Sequence, residues 1–218
     1  LPAAVAGLKT CGIRGFNLTM PNKNKIVELL DELSPEAQLI GAVNTVLNDN
    51  GKLIGYNTDG YGFMQSVRDA GHDITAKNIT VMGVGGASMA ICAQSALDGA
   101  ASVHIFARRT SRYWNRTQKF AENLSAKTGC QVCLFDNDDH TALRDSIAQS
   151  YLLINATSVG MVPDIDDTII KDTSLFHPEL VVADVVYEPQ ETRLLREAKA
   201  AGCQTFNGMY MLLHQGAK

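Results

Sequence analysis

Three stretches of this chain carry residue types that could do chemistry. The first is Asn17-Leu18-Thr19-Met20-Pro21-Asn22-Lys23, a polar run ending in a single lysine. Gly15 and Pro21 bracket it. Proline has no amide donor and biases Met20 towards extended geometry, so the run is not one continuous helix. The apolar spacing that follows (Ile26, Val27, Leu29, Leu30, Leu33) predicts a helix starting at or near Lys23. The positive end of a helix dipole suits an anion and not a cation. Lys23 is therefore either a solvated side chain after a turn or a group with a local task, and the run alone favours the first.

The second stretch is Gly83-Val84-Gly85-Gly86-Ala87-Ser88, set between an apolar strand and the helix after it. Glycines there allow a tight turn and let backbone N–H groups approach a pyrophosphate at the helix N-terminus. The alternative is a tight turn with no ligand. The third stretch, Ala107-Arg108-Arg109-Thr110-Ser111-Arg112, ends the next strand, where a dinucleotide fold reads the adenosine ribose. A reader of NAD offers an acidic residue to the 2′-hydroxyl. Here arginines and hydroxyls stand instead, a set suited to a 2′-phosphate dianion or to a solvated basic turn. Asn155-Ala156-Thr157-Ser158-Val159-Gly160-Met161 and Tyr187 each follow a strand at its carboxyl end, where α/β folds bind ligands.

The elements that must position these groups fall into two regions. Over residues 1–59 short helices mix with short strands, Thr45-Val46-Leu47 and Leu53-Ile54-Gly55, joined by the hairpin turn Asn48-Asp49-Asn50-Gly51. A helix over 61–70 follows, with Thr58 or Asp59 as its N-cap. From Asn78 strands and helices alternate, which implies a parallel sheet with crossover helices. Strands are expected at 79–82, 102–106, 132–135, 152–155, 180–186 and 205–206, and helices at 89–99, 113–128 and 191–201.

Composition narrows the function classes. The chain has 218 residues, 45% hydrophobic and 19% charged, the profile of an ordinary globular protein. A net charge of −4 disfavours nucleic acid or an anionic membrane as the main partner. No apolar run reaches the length of a membrane span. Five cysteines in no even, dense framework point to a reducing cytoplasm. Cys130 and Cys133 form an isolated C-x-x-C without the second pair or histidine that a zinc site needs, so no metal is expected.

Taken together the motifs resemble a known family. Asn17-x-Thr19-x-Pro21-x-Lys23, Gly41-Ala42-Val43-Asn44-Thr45, Asn57-Thr58-Asp59-Gly60, the Gly83–Ser88 loop, Asn155–Met161 and Met211-Leu212-x-x-Gln215 occur in this order in the shikimate dehydrogenases. The chain is most similar to the shikimate/quinate branch, through Met20–Lys23 and Leu212-Leu213-His214-Gln215-Gly216-Ala217, and the resemblance covers essentially every residue. It implies a Rossmann-like dinucleotide-binding domain over 60–207 and a smaller α/β substrate domain over 1–59, to which 208–218 returns. By resemblance Lys23 is the catalytic lysine and Asp59 its carboxylate partner. Thr19, Asn44, Asp59, Tyr187 and Gln215 match positions on the polyol substrate. Gly83, Val84, Gly85, Gly86, Ala87, Ala107, Arg108, Arg109, Thr110, Arg112, Val185 and Gly208 match the dinucleotide contacts.

Two positions depart from the family pattern: Ala107 replaces a common asparagine, and Thr110 stands where the dual-cofactor branch carries an aspartate. The family's N-terminal strand, with a serine pair on the substrate carboxylate, and the end of its last helix have no counterpart here, so a piece of a longer protein is expected. The implied activity is reversible NADP-dependent reduction of 3-dehydroshikimate to shikimate, in aromatic amino acid biosynthesis, by a cytoplasmic monomer or homodimer, with NAD a possible cofactor. A quinate dehydrogenase on the same scaffold is one alternative. A nucleotide-binding module without turnover is another, disfavoured because a pure binder has no need of both Lys23 and Asp59.

Overall fold

A computed structural model describes residues 1–218. The chain opens with helix α1 (Pro2–Thr10), where a proline in the first turn forfeits only an amide that has no helical partner anyway. Strand β1 (Gly15–Asn17), a 3-10 turn at Val27–Leu29 and the short strand β2 (Glu32–Leu33) follow. The helix expected after Lys23 does not form. Leu30 is extended (φ −106°, ψ 146°), and Asp31 N–H donates to Leu53 O, which draws the chain alongside a strand before a second helical turn can close. Ile26 is fully buried all the same, so the apolar spacing serves a turn and an edge strand. Lys23 therefore stands in a turn and not at a helix N-terminus.

Ser34 caps helix α2 (Pro35–Ile40) by accepting from Ala37 N–H, and Gly41 ends it at φ 67°. Strands β3 (Thr45–Asp49) and β4 (Lys52–Tyr56) pair antiparallel through a turn in which Asn50 and Gly51 both have positive φ, 51° and 92°. These strands form a four-stranded sheet in the order β1-β3-β4-β2 over an apolar core of Val5, Ile26, Ala37, Val43, Val46 and Leu53. Helix α3 (Asp59–Asp69) leaves it for the second sheet. Thr58 occupies the N-cap position, but its side chain does not cap. Asn57 Oδ1 takes the Asp59 N–H instead, which frees the Thr58 hydroxyl for a tertiary bond.

The second sheet is built from β5 (Asn78–Met82), α4 (Gly86–Leu97), β6 (Ser102–Ala107), α5 (Trp114–Thr128), β7 (Gln131–Asp136), α6 (His140–Gln149), β8 (Leu152–Asn155), β9 (Val181–Asp184), α7 (Arg193–Ala200), β10 (Gln204–Phe206) and a closing helix α8 (Met209–Ala217). All six strands are parallel, in the order β10-β9-β8-β5-β6-β7. Strand order reverses at β5, so the crevice at the carboxyl ends of β5 and β8 is the switch point at which such sheets bind ligands. Apolar layers cover both faces, Ile79, Val81, Ala90 and Ile105 on one and Met82, Phe106, Leu153 and Val182 on the other. Each fully buried aliphatic side chain of these layers contributes about 1.5–3 kcal/mol.

Other details differ from the sequence reading as well. Helix α6 is absent from the expected elements, because among its ten residues only Ser146 and Ile147 are buried and the apolar stripe is too narrow to read. Strand β9 ends at Asp184 and not at Val186, because the Asp184 carboxylate accepts the Val186 N–H and turns the chain out of the ladder. No helix is long and apolar enough to cross a membrane.

Helix α3 is held at glycine distance on two sides. A Cβ on Gly60 would stand 2.3 Å from Ala90 O of α4, and one on Gly62 would stand 2.7 Å from Gln215 N and Met211 O of α8. Only a residue without a side chain lets the three backbones approach this closely.

Candidate active site

Lys23 projects from its turn, which is tied to the segment just before β3 by Val43 N–H donating to Lys23 O. Its ammonium donates to Asp59 Oδ2 at 2.7 Å, and no other protein group bonds it. Asp59 opens α3 and is buried. Its second oxygen, Oδ1, accepts from Asn44 Nδ2 at 3.0 Å. The same Asn44 amide lies 2.9 Å from Thr58 Oγ1 and 3.2 Å from Gln215 Oε1, while its Oδ1 accepts the Thr58 N–H. Thr58 donates its hydroxyl proton to Gln215 O, which fastens α8 to the junction between β4 and α3. The side chain of Lys23 is 19% exposed and that of Asp59 10%, so the pair is partly shielded from water and open on one side.

That open side is a cavity of about 570 Å³. Every residue expected on the polyol lines it, together with the lysine: Thr19, Lys23, Asn44, Asp59, Tyr187 and Gln215. Ala87, Val185 and Gly208, expected on the dinucleotide, line the same cavity from the second sheet. The sequence reading misses Asn17, Leu18, Met211, Leu212 and Gly216 in the wall. All five belong to stretches already singled out, so taking whole motifs as walls would have found them.

A second cavity of about 810 Å³ runs along the carboxyl ends of β5, β6 and β7. It holds the expected Gly83, Val84, Gly85, Ala107, Arg108, Thr110 and Arg112, together with Ser111, Tyr113, Asn137, Ala156–Val159 and Ile169. Gly86 and Arg109 lie outside both linings. Gly86 is the first residue of α4, and Arg109 turns aside to stack over Trp114 with its guanidinium carbon 4.7 Å from the ring centroid. Arg112 stacks on Tyr113 in the same manner and donates to its hydroxyl at 2.6 Å.

The glycines of the loop separate by cause. Gly83 has φ +110°, and a Cβ there would meet Thr157 Cγ2 at 2.8 Å, so the fold itself requires glycine. Gly85, the N-cap of α4, has φ −79°, and a Cβ there would meet nothing within 4 Å. Nothing in the protein demands a glycine at that position. An open cradle at a helix N-terminus, beside Arg108, Thr110 and Arg112, fits the phosphates of a dinucleotide.

The loop after β8 is shaped by a buried network. Asn155 Nδ2 donates to Asp184 Oδ1 at 3.0 Å and to Val159 O at 3.1 Å, and Asn155 Oδ1 accepts from both Thr157 N–H and Thr157 Oγ1–H. Thr192 Oγ1 donates to Asp184 Oδ2 at 2.8 Å. Burial raises the Asp184 pKa above the ordinary aspartate range, against the lowering effect of bonds from Val186 N–H, Thr192 and Asn155. The cysteines stand apart from both cavities. Burial pushes the thiol of Cys92 up to about 12 and that of Cys130 up to about 11, which leaves both protonated and unreactive at neutral pH.

A parallel sheet with a glycine cradle at its switch point, facing a lysine–carboxylate pair across a shared cavity, defines a dinucleotide-dependent oxidoreductase class. Comparison with known proteins narrows it. Residues 1–46 match the family model described as the shikimate dehydrogenase substrate binding domain. The chain is 49% identical over 218 residues to the shikimate dehydrogenase (NADP(+)) of Listeria innocua serovar 6a, covering 100% of this chain and 75% of that protein. It is 43% identical over 217 residues to the quinate/shikimate dehydrogenase of Escherichia coli (strain SMS-3-5 / SECEC), again covering 100% of this chain and 75% of the relative. The crystal structure of shikimate 5-dehydrogenase from Listeria monocytogenes in complex with shikimate and NAD superposes with a TM-score of 0.97 at 48% identity, over 99% of this chain and 74% of that one. The chain belongs to the shikimate dehydrogenase family.

Proposed function

We propose that this chain carries out the reversible NADP-dependent reduction of 3-dehydroshikimate to shikimate, with Lys23 as the acid–base group. The observation that carries the reading is the Lys23–Asp59 pair at 2.7 Å, in a cavity whose far wall is the start of the helix that follows the glycine loop. In the oxidative direction the carbinol carbon loses a hydride and its hydroxyl loses a proton. A group within hydrogen-bond reach of that hydroxyl must take the proton. Lys23 Nζ is that group: as an amine it takes the proton in oxidation, as an ammonium it returns it to the carbonyl oxygen in reduction, and Asp59 holds it in place. Asn44 fixes Asp59 from the other side, and Thr19, Tyr187 and Gln215 orient the ring hydroxyls. The bound dinucleotide supplies the hydride acceptor, and the protein supplies orientation. Gly85 and the N-terminus of α4 hold its phosphates, Arg108, Thr110 and Arg112 its 2′-phosphate, and Val185 and Gly208 the nicotinamide end.

On this reading residues 1–59 and 208–218 form the substrate domain and 60–207 the dinucleotide domain. The two sheets, and the bonds from Asn44 and Thr58 to Gln215 that tie α8 to residues 1–59, support that division. Five free cysteines accord with a cytoplasmic setting. The test is steady-state kinetics with shikimate and with quinate, each with NADP and NAD. Turnover of shikimate with NADP above the other three combinations is expected. A higher kcat/KM on quinate would move the assignment to the quinate-oxidising alternative.

A further inference from the structure

Strands β8 and β9 are apolar until their last residues, where Asn155 and Asp184 stand opposite each other in register, both buried. A matched pair of apolar side chains would fill these places without the cost of desolvating an amide and a carboxyl group. Neither residue lines a cavity, and neither does Thr192, the third member of their network. What they bond is the wall of both cavities. Asn155 Nδ2 donates to Val159 O, and Asn155 Oδ1 accepts from the amide and the hydroxyl of Thr157, two residues that line the dinucleotide cavity. Thr157 in turn lies against the glycine loop, where a Cβ on Gly83 would meet its methyl group at 2.8 Å. On the other side Asp184 Oδ1 accepts the N–H of Val186, whose neighbours Val185 and Tyr187 line the cavity that holds Lys23. Asp184 Oδ2 accepts from Thr192 Oγ1 at 2.8 Å, which ties the carboxyl group to the N-cap of α7. The bond from Asn155 Nδ2 to Asp184 Oδ1, at 3.0 Å, is the side-chain joint between the two walls.

We propose that Asp184 is a positioning residue for hydride transfer: through Asn155 on one side and the Val186 N–H on the other, it keeps Val185 and Tyr187 in register with the glycine loop. The proposal rests on the oxidoreductase reading and adds to it a group that touches neither ligand. Val185 is placed at the nicotinamide end and Tyr187 at the substrate ring, so the joint sets the distance the hydride must cross. A misplacement of about 1 Å can cost on the order of 10²-fold in rate. The phosphates are held elsewhere, by the start of α4 and the basic turn, and are indifferent to the joint.

The test is steady-state kinetics on shikimate beside titration calorimetry with NADP, on the 218-residue chain and its variants. In Asp184→Asn the amide oxygen accepts from Asn155 and Val186 and the amide nitrogen donates to Thr192, so kcat should stay within about threefold of the parent. Asp184→Ala leaves Asn155 and Val186 without their acceptor, and kcat should fall by about 10- to 100-fold. Its NADP dissociation constant should stay within about threefold, which also shows that the variant is folded. Thr192→Val releases the outer oxygen alone; its kcat should fall by several-fold, and Thr192→Ser should restore it. Parental kcat in both the alanine and the valine variant, or an NADP affinity that falls in step with kcat, overturns the proposal. So does an asparagine variant as slow as the alanine one. Absence of turnover in the unsubstituted chain removes the oxidoreductase reading itself, and this proposal with it.

Discussion

Lys23 Nζ lies 2.7 Å from Asp59 Oδ2 across 36 residues of chain, and the carboxylate is the fixed member of the pair. Asp59 is buried at the start of α3 and bonded on its other oxygen by Asn44, whereas Lys23 arrives from a turn with Asp59 as its only protein partner. The fixed member therefore sets where the ammonium stands. An ammonium has three protons to donate, and those that Asp59 does not take have no acceptor in the protein.

Replacing Lys23 with alanine is expected to lower kcat by about 10²–10⁴-fold, the scale of a general acid–base group, with KM held within several-fold. Steady-state kinetics on shikimate measure both. A rise in KM alone, with kcat intact, would reassign Lys23 to substrate binding.

Cofactor choice follows the turn after β6. Arg108, Thr110 and Arg112 line the cavity and no acidic residue of that turn does. Hydrogen bonds to charged groups contribute about 1.5–3 kcal/mol each, so kcat/KM with NADP should exceed that with NAD by about tenfold or more. Arg112→Ala should narrow the ratio chiefly by weakening NADP. An equal or greater value for NAD in the unsubstituted chain would mean that the basic turn is merely solvated.

Gly85→Ser should separate folding from binding. Serine is a favoured N-cap, φ is −79°, and the added side chain meets open space, so stability should stay within about 0.5 kcal/mol. The same side chain fills the phosphate cradle, and NADP affinity should fall by more than about tenfold. Thermal melting read beside an NADP titration decides it. A variant that binds NADP normally would show that the cradle holds no phosphate.

Asp184 predicts a pH dependence. Its folded pKa is raised, chiefly by burial, so the folded state holds a proton that the unfolded state has already released. Its contribution to stability is complete below the ordinary aspartate range and is lost as pH rises through the raised value. In the variant Asp184→Asn, the side-chain amide keeps an acceptor for Asn155 and Val186, can donate to Thr192, and does not titrate. The melting temperature of the variant relative to the parent should therefore rise as pH is raised from the ordinary aspartate range. A difference that is flat or falls with pH would show that the ionised carboxylate is stabilising.

Much of this was legible in the sequence because the relevant forces are local. Strands β5, β8 and β9 read as apolar runs because both faces of their sheet are covered, and the hairpin at Asn50 and Gly51 read as a turn because those residues tolerate positive φ. What failed was decided at long range. Ile26 to Leu33 has helical spacing, yet pairing of β2 with β4 drew it into a turn and a strand. Helix α6 exposes most of its surface and leaves no readable stripe. The site residues came through their resemblance to a family.

The glycines of this chain carry two kinds of history. A Cβ on Gly60, Gly62 or Gly208 would stand 2.3, 2.7 or 2.0 Å from neighbouring backbone atoms, so these positions cannot vary while the architecture survives. Gly85 faces only open space, and the fold has no stake in it. A lineage that gave up catalysis but kept its shape would thus preserve the first three and drift at the fourth. Among descendants of such a chain, drift at residue 85 would disclose that the enzyme had retired.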